Sequence, residues 1–251
     1  MVMTLENTAW DFRASPPDMA LVPLACLEPH GPHLPIGTDS LIVSTIARLV
    51  SPRLRGRIYL LPVWPLGISA HHWGEPGAVS LEHETLWAVV RDIAESLVAH
   101  GIRKVAVLNN HGSPMGTTTV PIGNSIVKTA VRQLNYETPG LHAIWVQPFA
   151  VARPALTEIF ASAAGDLHAG EIETSIVLHL SQSLVRPGGI DAVPSHPLAY
   201  LEFLPLGRLS PSGIWGRPSN ATAEKGRQAL EAAVSATVDY IERTFDALAQ
   251  V

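Results

Sequence analysis

The chain has 251 residues and a mass of 26.9 kDa, the size of one large α/β domain or two small ones. Only 16% of its residues are charged, against about 25% in an average soluble domain; a net charge of −5 leaves no basic face for nucleic acid, and 47% hydrophobic residues exclude disorder. The single Cys26 excludes a disulfide scaffold, no apolar run approaches the ~20 residues of a membrane span, and the opening MVMTLENTAWDF has neither region of a secretory signal, so a cytoplasmic protein with part of its surface covered by other subunits is expected.

Ala20–Leu27 reads as a buried strand, with Cys26 inside it as a small buried thiol, and ends in the turn-rich EPHGPHLPIG. A helix is predicted from an N-cap at Thr38 or Asp39 through Leu41, Ile42, Ile46 and Leu49, ending before Pro52. Arg57–Val63 is a second strand, followed by a loop rich in Gly, His and Trp. Leu81–His100 is amphipathic, with Gly101 as its stop signal. Arg103–Asn109 is a third strand, roughly Val120–Asn135 a helix and Leu141–Val146 a fourth strand. Two more helices fall around 154–164 and 170–182. Residues 186–219 are irregular and Pro-rich, and Ala221–Leu248, capped by Asn220, is a final helix. Buried strands alternating with helices predict a parallel sheet covered on both faces, and one domain over 1–251. Ligands of such folds sit beyond the carboxyl ends of the strands.

Histidine is over-represented, with 11 against 17 Lys and Arg, and several stand at that edge. Glu28-Pro-His30-Gly-Pro-His33-Leu-Pro-Ile-Gly-Thr-Asp39 opens where the first strand ends. Glu28 and His30, two apart in extended chain, point to one side, and the Pro and Gly residues can return Asp39 towards them. Two carboxylates and an imidazole on a rigid loop suit a borderline divalent ion; the plain alternative is a loop of solvated histidines. His111, in Asn109-Asn110-His111-Gly112, would reach the same edge from the neighbouring strand. Asp166-Leu-His168-Ala-Gly-Glu171-Ile-Glu173-Thr-Ser175 heads a helix. Capping explains an acid in its first turn but not His168, which the same helix dipole would disfavour as a cation; neutral, it would be a good general base. In Ser69-Ala-His71-His72-Trp73-Gly-Glu75, adjacent histidines point different ways, so at most one faces a site. Dinucleotide, P-loop and nucleophile-elbow templates fail, and the sequon Asn220-Ala-Thr222 is discounted.

These motifs resemble the creatininase (creatinine amidohydrolase) family, including the mycofactocin-pathway creatininase-like peptidases. Glu28, His30, His33 and Asp39 match its Glu-x-His-Gly-x-His-Leu-Pro…Gly-Thr-Asp at the same spacing. Asp166 to Ser175 answers its Asp-x-His-Ala-Gly-x-x-Glu-Thr-Ser without a gap, and Ser210 to Gly226 resembles its carboxyl-terminal loop. The resemblance implies a three-layer α/β/α sandwich with a mostly parallel sheet, assembled as a homo-oligomer, a hexamer in the usual family form. It also implies two divalent ions per chain, zinc first, with manganese or iron also accommodated. Asp39 would bridge them, with Glu28 and His111 on one and His30 and Glu173 (preferred over Glu171) on the other. His168 falls at the catalytic histidine, with Glu173 beside it, and Ser69, His72 and Trp73 on the substrate side. The implied reaction is hydrolysis of a C–N amide bond in a cyclic amide, formamide or short peptide by a metal-bound hydroxide. A metal- or small-molecule-binding subunit without turnover is the alternative. Departures at Ala70-His71-His72, Glu75-Pro76-Gly77-Ala78 and Gly112-Ser113-Pro114 fall in the substrate-facing loops, so the resemblance does not extend to creatinine as substrate.

Overall fold

A computed structural model describes residues 1–112 and 124–250. Ser113, Pro114 and the predicted helix start at Val120 lie outside the described residues. Five parallel strands, β1 (Val2–Met3), β2 (Met19–Leu24), β3 (Ile58–Leu60), β4 (Lys104–Asn109) and β5 (His142–Val146), form one sheet in the order β1-β3-β2-β4-β5. All six residues of β2 are buried, as a central strand covered on both faces requires.

Alternation along the strands sorts the core into two halves. Met19, Leu21, Ala106, Leu108, Ile144 and Val146 face a layer built mainly from α2 (Thr38–Val50), α5 (Pro148–Val151), α6 (Arg153–Ile159), α7 (Glu171–Leu180) and α9 (Ala223–Leu248). Ala20, Val22, Val105, Val107 and Ala143 face α3 (His83–Ala99) and α4 (Asn124–Glu137). The three-layer α/β/α sandwich expected from the sequence is the fold. The short α1 (Ala9–Ala14), closed by a capping box between Thr8 and Asp11, and α8 (Leu206–Leu209) complete the helices longer than a 3₁₀ turn among the described residues.

The end of β2 and the start of the last helix differ from expectation. β2 ends at Leu24 rather than Leu27: its pairing with β4 stops at Asn109, and on the other side only the isolated Leu24–Trp64 bridge, in which the Ala25 amide donates to the Trp64 carbonyl (2.9 Å), follows β3. Cys26 therefore lies beyond the strand, buried as expected but in the loop that enters the site. The last helix is capped by Thr222, whose hydroxyl accepts from the Lys225 amide at 3.2 Å, and not by Asn220.

Helix α7 is held against α9 by a close backbone approach. A methyl group on Gly226 would stand 1.9 Å from the Ser175 carbonyl oxygen and 2.8 Å from the Ile176 nitrogen, neither of which is free to move. Gly226→Ala should therefore lower stability by about 3 kcal/mol, read as a fall in the urea midpoint at unchanged slope. Unaltered stability would show that α7 and α9 have room to separate.

Candidate metal centre and active site

Strand pairing sets the site. Leu24 of β2 is in register with Asn109 of β4, so the two carboxyl ends are level and deliver Glu28 and His111 to the same edge. The loop after β2 folds back on itself, the Glu28 amide donating to the Ile36 carbonyl (3.3 Å). That return brings Asp39 to the first turn of α2, where Gly37 rather than Thr38 or Asp39 takes the N-cap position; the Asp39 carboxylate is left to face the site. The Asn109 side chain accepts from the His111 amide at 3.1 Å and fixes its approach. The loop after β3 supplies Ser69, His71 and His72, and the start of α7 supplies Glu173.

Asp39 stands between two groups of donors. Its Oδ2 is 3.2 Å from His111 Nδ1, which is itself 3.4 Å from Glu28 Oε2. Its Oδ1 is 3.7 Å from His30 Nε2, which is 3.8 Å from Glu173 Oε1. All five residues are buried. The outer atoms of these groups are tied down. His30 Nδ1 donates to the Glu28 carbonyl (3.0 Å), which leaves Nε2 with no hydrogen-bond partner and aimed into the centre. Glu173 Oε2 accepts from the Ala169 amide (2.7 Å), and Glu28 Oε2 accepts from the Ser69 hydroxyl (2.7 Å).

Three carboxylates are thus packed together out of water, with no lysine or arginine paired to them among the described residues. The cluster draws positive charge from wherever it can. Against the effect of burial, Glu173 and Asp39 push His30 up to about 10, and Cys26 and Glu28 hold His111 well above the usual imidazole range. Burial and the charge of Glu28 push the Asp39 carboxyl up. A mixed oxygen and nitrogen donor set with this excess of negative charge fits divalent cations. Two groupings, His30 with Asp39 and Glu173, and Glu28 with Asp39, His111 and Cys26, each place one donor atom per residue within 4.8 Å of all the others.

His168 sits over this centre. Its Nε2 donates to the Pro29 carbonyl (2.8 Å), leaving Nδ1 as the lone-pair nitrogen, 3.8 Å from Glu28 Oε1. Burial, with the charge of His30, pulls it down to about 3, so it stands as a neutral imidazole. Ala169, which follows it, has φ 51°, a left-handed conformation costly for a residue with a Cβ, and this bend turns the chain from the His168–Trp215 bridge into α7. His30, His168, His72, His71 and His111 form a continuous run of ring contacts, with centroids 4.3 to 5.5 Å apart.

Glu28, Asp39, His111, Glu173 and His168 line a cavity together with, among the described residues, His71, Gly112, Leu167, Leu201 and Leu206. None of the three residues expected on the substrate side is among these lining residues. Ser69 is behind Glu28, and His72 is buried with Nδ1 3.0 Å from Glu75 Oε2. Trp73 is 71% exposed. His71, left undecided by the sequence, is the one of the pair that lines the cavity. His33 is 3.0 Å from the Thr174 hydroxyl and supports α7 from outside. Glu171 is taken by Lys225 and Ser162 on the far side of the helix, so Glu173 alone of the two faces the centre. Leu201, Leu206, Leu209 and Trp215 form one apolar cluster with Leu167; the sequence carries no periodic signal for it, since it comes from the irregular segment.

Titratable groups gathered at the carboxyl edge of a parallel sheet between two helical layers are the layout of an α/β enzyme. A family model described as creatininase, creatinine amidohydrolase, matches residues 6–241. Over 236 residues the chain is 33% identical to the mycofactocin precursor peptide peptidase of Mycobacterium ulcerans (strain Agy99), covering 89% of this chain and 84% of that one. Two solved creatininases share the fold. One, described as the Mn form, has a TM-score of 0.77 at 22% identity over 97% of this chain and 98% of its own. A creatininase variant described as Zn-Zn type has 0.75 at 23% over 96% and 97%. The chain belongs to the creatininase family of hydrolases.

Proposed function

We propose that this enzyme hydrolyses a C–N amide bond in a short peptide, a cyclic amide or a formamide at a centre that would hold two divalent ions, with Asp39 shared between them. The observation that carries this is the division of labour at Asp39, whose two oxygens face different pairs of donors. Glu28 and His111 would hold one ion, His30 and Glu173 the other. Zinc is the first choice and manganese the second, in keeping with the Zn-Zn and Mn forms of the structural neighbours, with iron also suited to these donors. Such ions supply an activated water and polarise a carbonyl oxygen. The chain's own residues do the rest. His168, neutral and facing the cavity with Nδ1, accepts a proton and returns it to the departing nitrogen. Glu173 holds its position through the Ala169 amide, and Ser69 fixes the carboxylate of Glu28.

A peptide is the favoured substrate class, because the M. ulcerans relative is named a precursor peptide peptidase. Protein purified without added metal should carry two ions per chain by elemental analysis. It should release amine or ammonia from at least one member of a panel of short peptides, lactams and formamides. Two ions without release from any amide would leave a binding protein.

The three carboxylates also make the folded state dependent on the ions. At a metal concentration about 1,000 times Kd, binding to the native state alone contributes about 4 kcal/mol. Exhaustive chelation should then lower Tm by on the order of 10 °C in a chain of this size, and zinc or manganese should restore it. An unchanged Tm would mean that the cluster holds its shape by protonation alone. We also read the whole chain as one domain, since α9 packs on α2, α5 and α7 alike. The exposed Trp10, Trp73 and Phe203 favour a homo-oligomer, the hexamer expected from the family, which light scattering would measure.

A further inference from the structure

The two halves of the centre are unequal. On one side His30, Asp39 and Glu173 supply three donors, which leaves a position for water or substrate. On the other, Glu28, Asp39 and His111 are joined by Cys26, and the four donor atoms all lie within 4.8 Å of one another. Ions of this kind hold donors at about 2.0–2.3 Å, so four atoms so gathered are close to a closed shell. The sulfur has been given room there. A side chain on Gly67 would stand 2.4 Å from Cys26 Sγ and 2.7 Å from the Ala25 carbonyl oxygen, so the sulfur occupies space that only a glycine opposite leaves open. Cys26 is buried; its Sγ lies 3.9 Å from the Ile68 carbonyl, at the limit for sulfur, and interacts with the His111 ring of the same donor group. The unpartnered, fully buried His30 Nε2, aimed at the other oxygen of Asp39, independently marks this cluster as a cation site.

We propose that Cys26 is a ligand, supplying a thiolate to the ion shared by Glu28, Asp39 and His111, and that it makes this half of the centre closed and selective for zinc over manganese. On binding, the S–H proton passes to solvent as the metal–sulfur bond forms, with no change of oxidation state. Thiolate suits zinc and disfavours manganese, which prefers oxygen donors. The three-donor half, whose Glu173 lines the cavity, then keeps a position for substrate. This inference rests on the proposed two-ion centre, and its test separates the two.

Full-length protein is loaded with cobalt(II), and the metal content and absorption spectrum are recorded for the native chain and for Cys26→Ser. The expected result is two cobalt ions per native chain with a sulfur-to-cobalt charge-transfer band in the near ultraviolet, and loss of the band in Cys26→Ser. Competition between zinc and manganese should show the native preference for zinc falling roughly tenfold or more in the variant. Two bound cobalt ions without a sulfur band in the native chain would overturn the proposal and leave the two-ion centre standing. No bound cobalt would overturn both. The spectrum of the native protein decides the matter even if the variant folds poorly.

Discussion

Asp39→Ala is expected to yield a folded protein that carries far less than one ion per chain and whose amide hydrolysis is lower by at least ~1,000-fold. The magnitude follows from the several kcal/mol that metal ions contribute to stabilising charge in such transition states, at about 1.4 kcal/mol per factor of ten. The distribution of the loss follows from position. Asp39 is the member of the cluster whose oxygens reach both donor pairs, at 3.7 Å to His30 and 3.2 Å to His111. Glu173→Gln, by contrast, touches one pair and should release one ion while the other stays. The thermal response separates loss of metal from loss of fold. Asp39→Ala removes one of three mutually repelling buried carboxylates, so its Tm should no longer respond to chelator, whereas that of the native chain falls. Two ions retained per chain in Asp39→Ala, by elemental analysis, would sink the bridging role.

Much of this site is legible in the sequence because it depends on short-range spacing at the ends of strands. Glu28 and His30 are fixed by two-residue parity after β2, and His111 by its place after β4. Strands and helices with sustained periodicity, such as α3 and α9, emerge with boundaries within two residues at most ends. What the sequence hides depends on contacts between distant segments. Parity does not separate His71 from His72, because both lie in a 3₁₀ turn at Ala70–His72, where alternation does not apply. Leu201 and Leu206 reach the cavity from a Pro-rich stretch with no repeating pattern. β1 is two residues long and α1 six, too short for periodicity to register. The preference for Glu173 over Glu171 has its physical basis in Lys225, a residue 54 positions further on. Cys26 reads as a strand residue because the apolar run continues past Leu24, where pairing with β4 ends.

His168→Ala is expected to keep two ions per chain while kcat falls at least ~100-fold, the usual contribution of a positioned proton carrier. The structure poses a real alternative, since His168, Glu28 and His30 also bring three donor atoms within 4.8 Å of one another. The contrast with His30 lies in charge: Glu173 and Asp39 push that ring up to about 10, whereas burial and the charge of His30 draw His168 down to about 3. Nε2 is committed to the Pro29 carbonyl at 2.8 Å, which sets the tautomer and anchors the ring to the loop between Glu28 and His30. Nδ1 is left facing the cavity, and burial keeps the ring neutral with its affinity for a proton drawn down to about 3. The metal count distinguishes the two, because loss of an ion in His168→Ala would make the residue a ligand. The kinetics add a second reading. A proton carrier that touches only the reacting nitrogen should change kcat with little effect on KM, and His168→Gln, which keeps the polarity but cannot carry the proton, should be as impaired as the alanine variant.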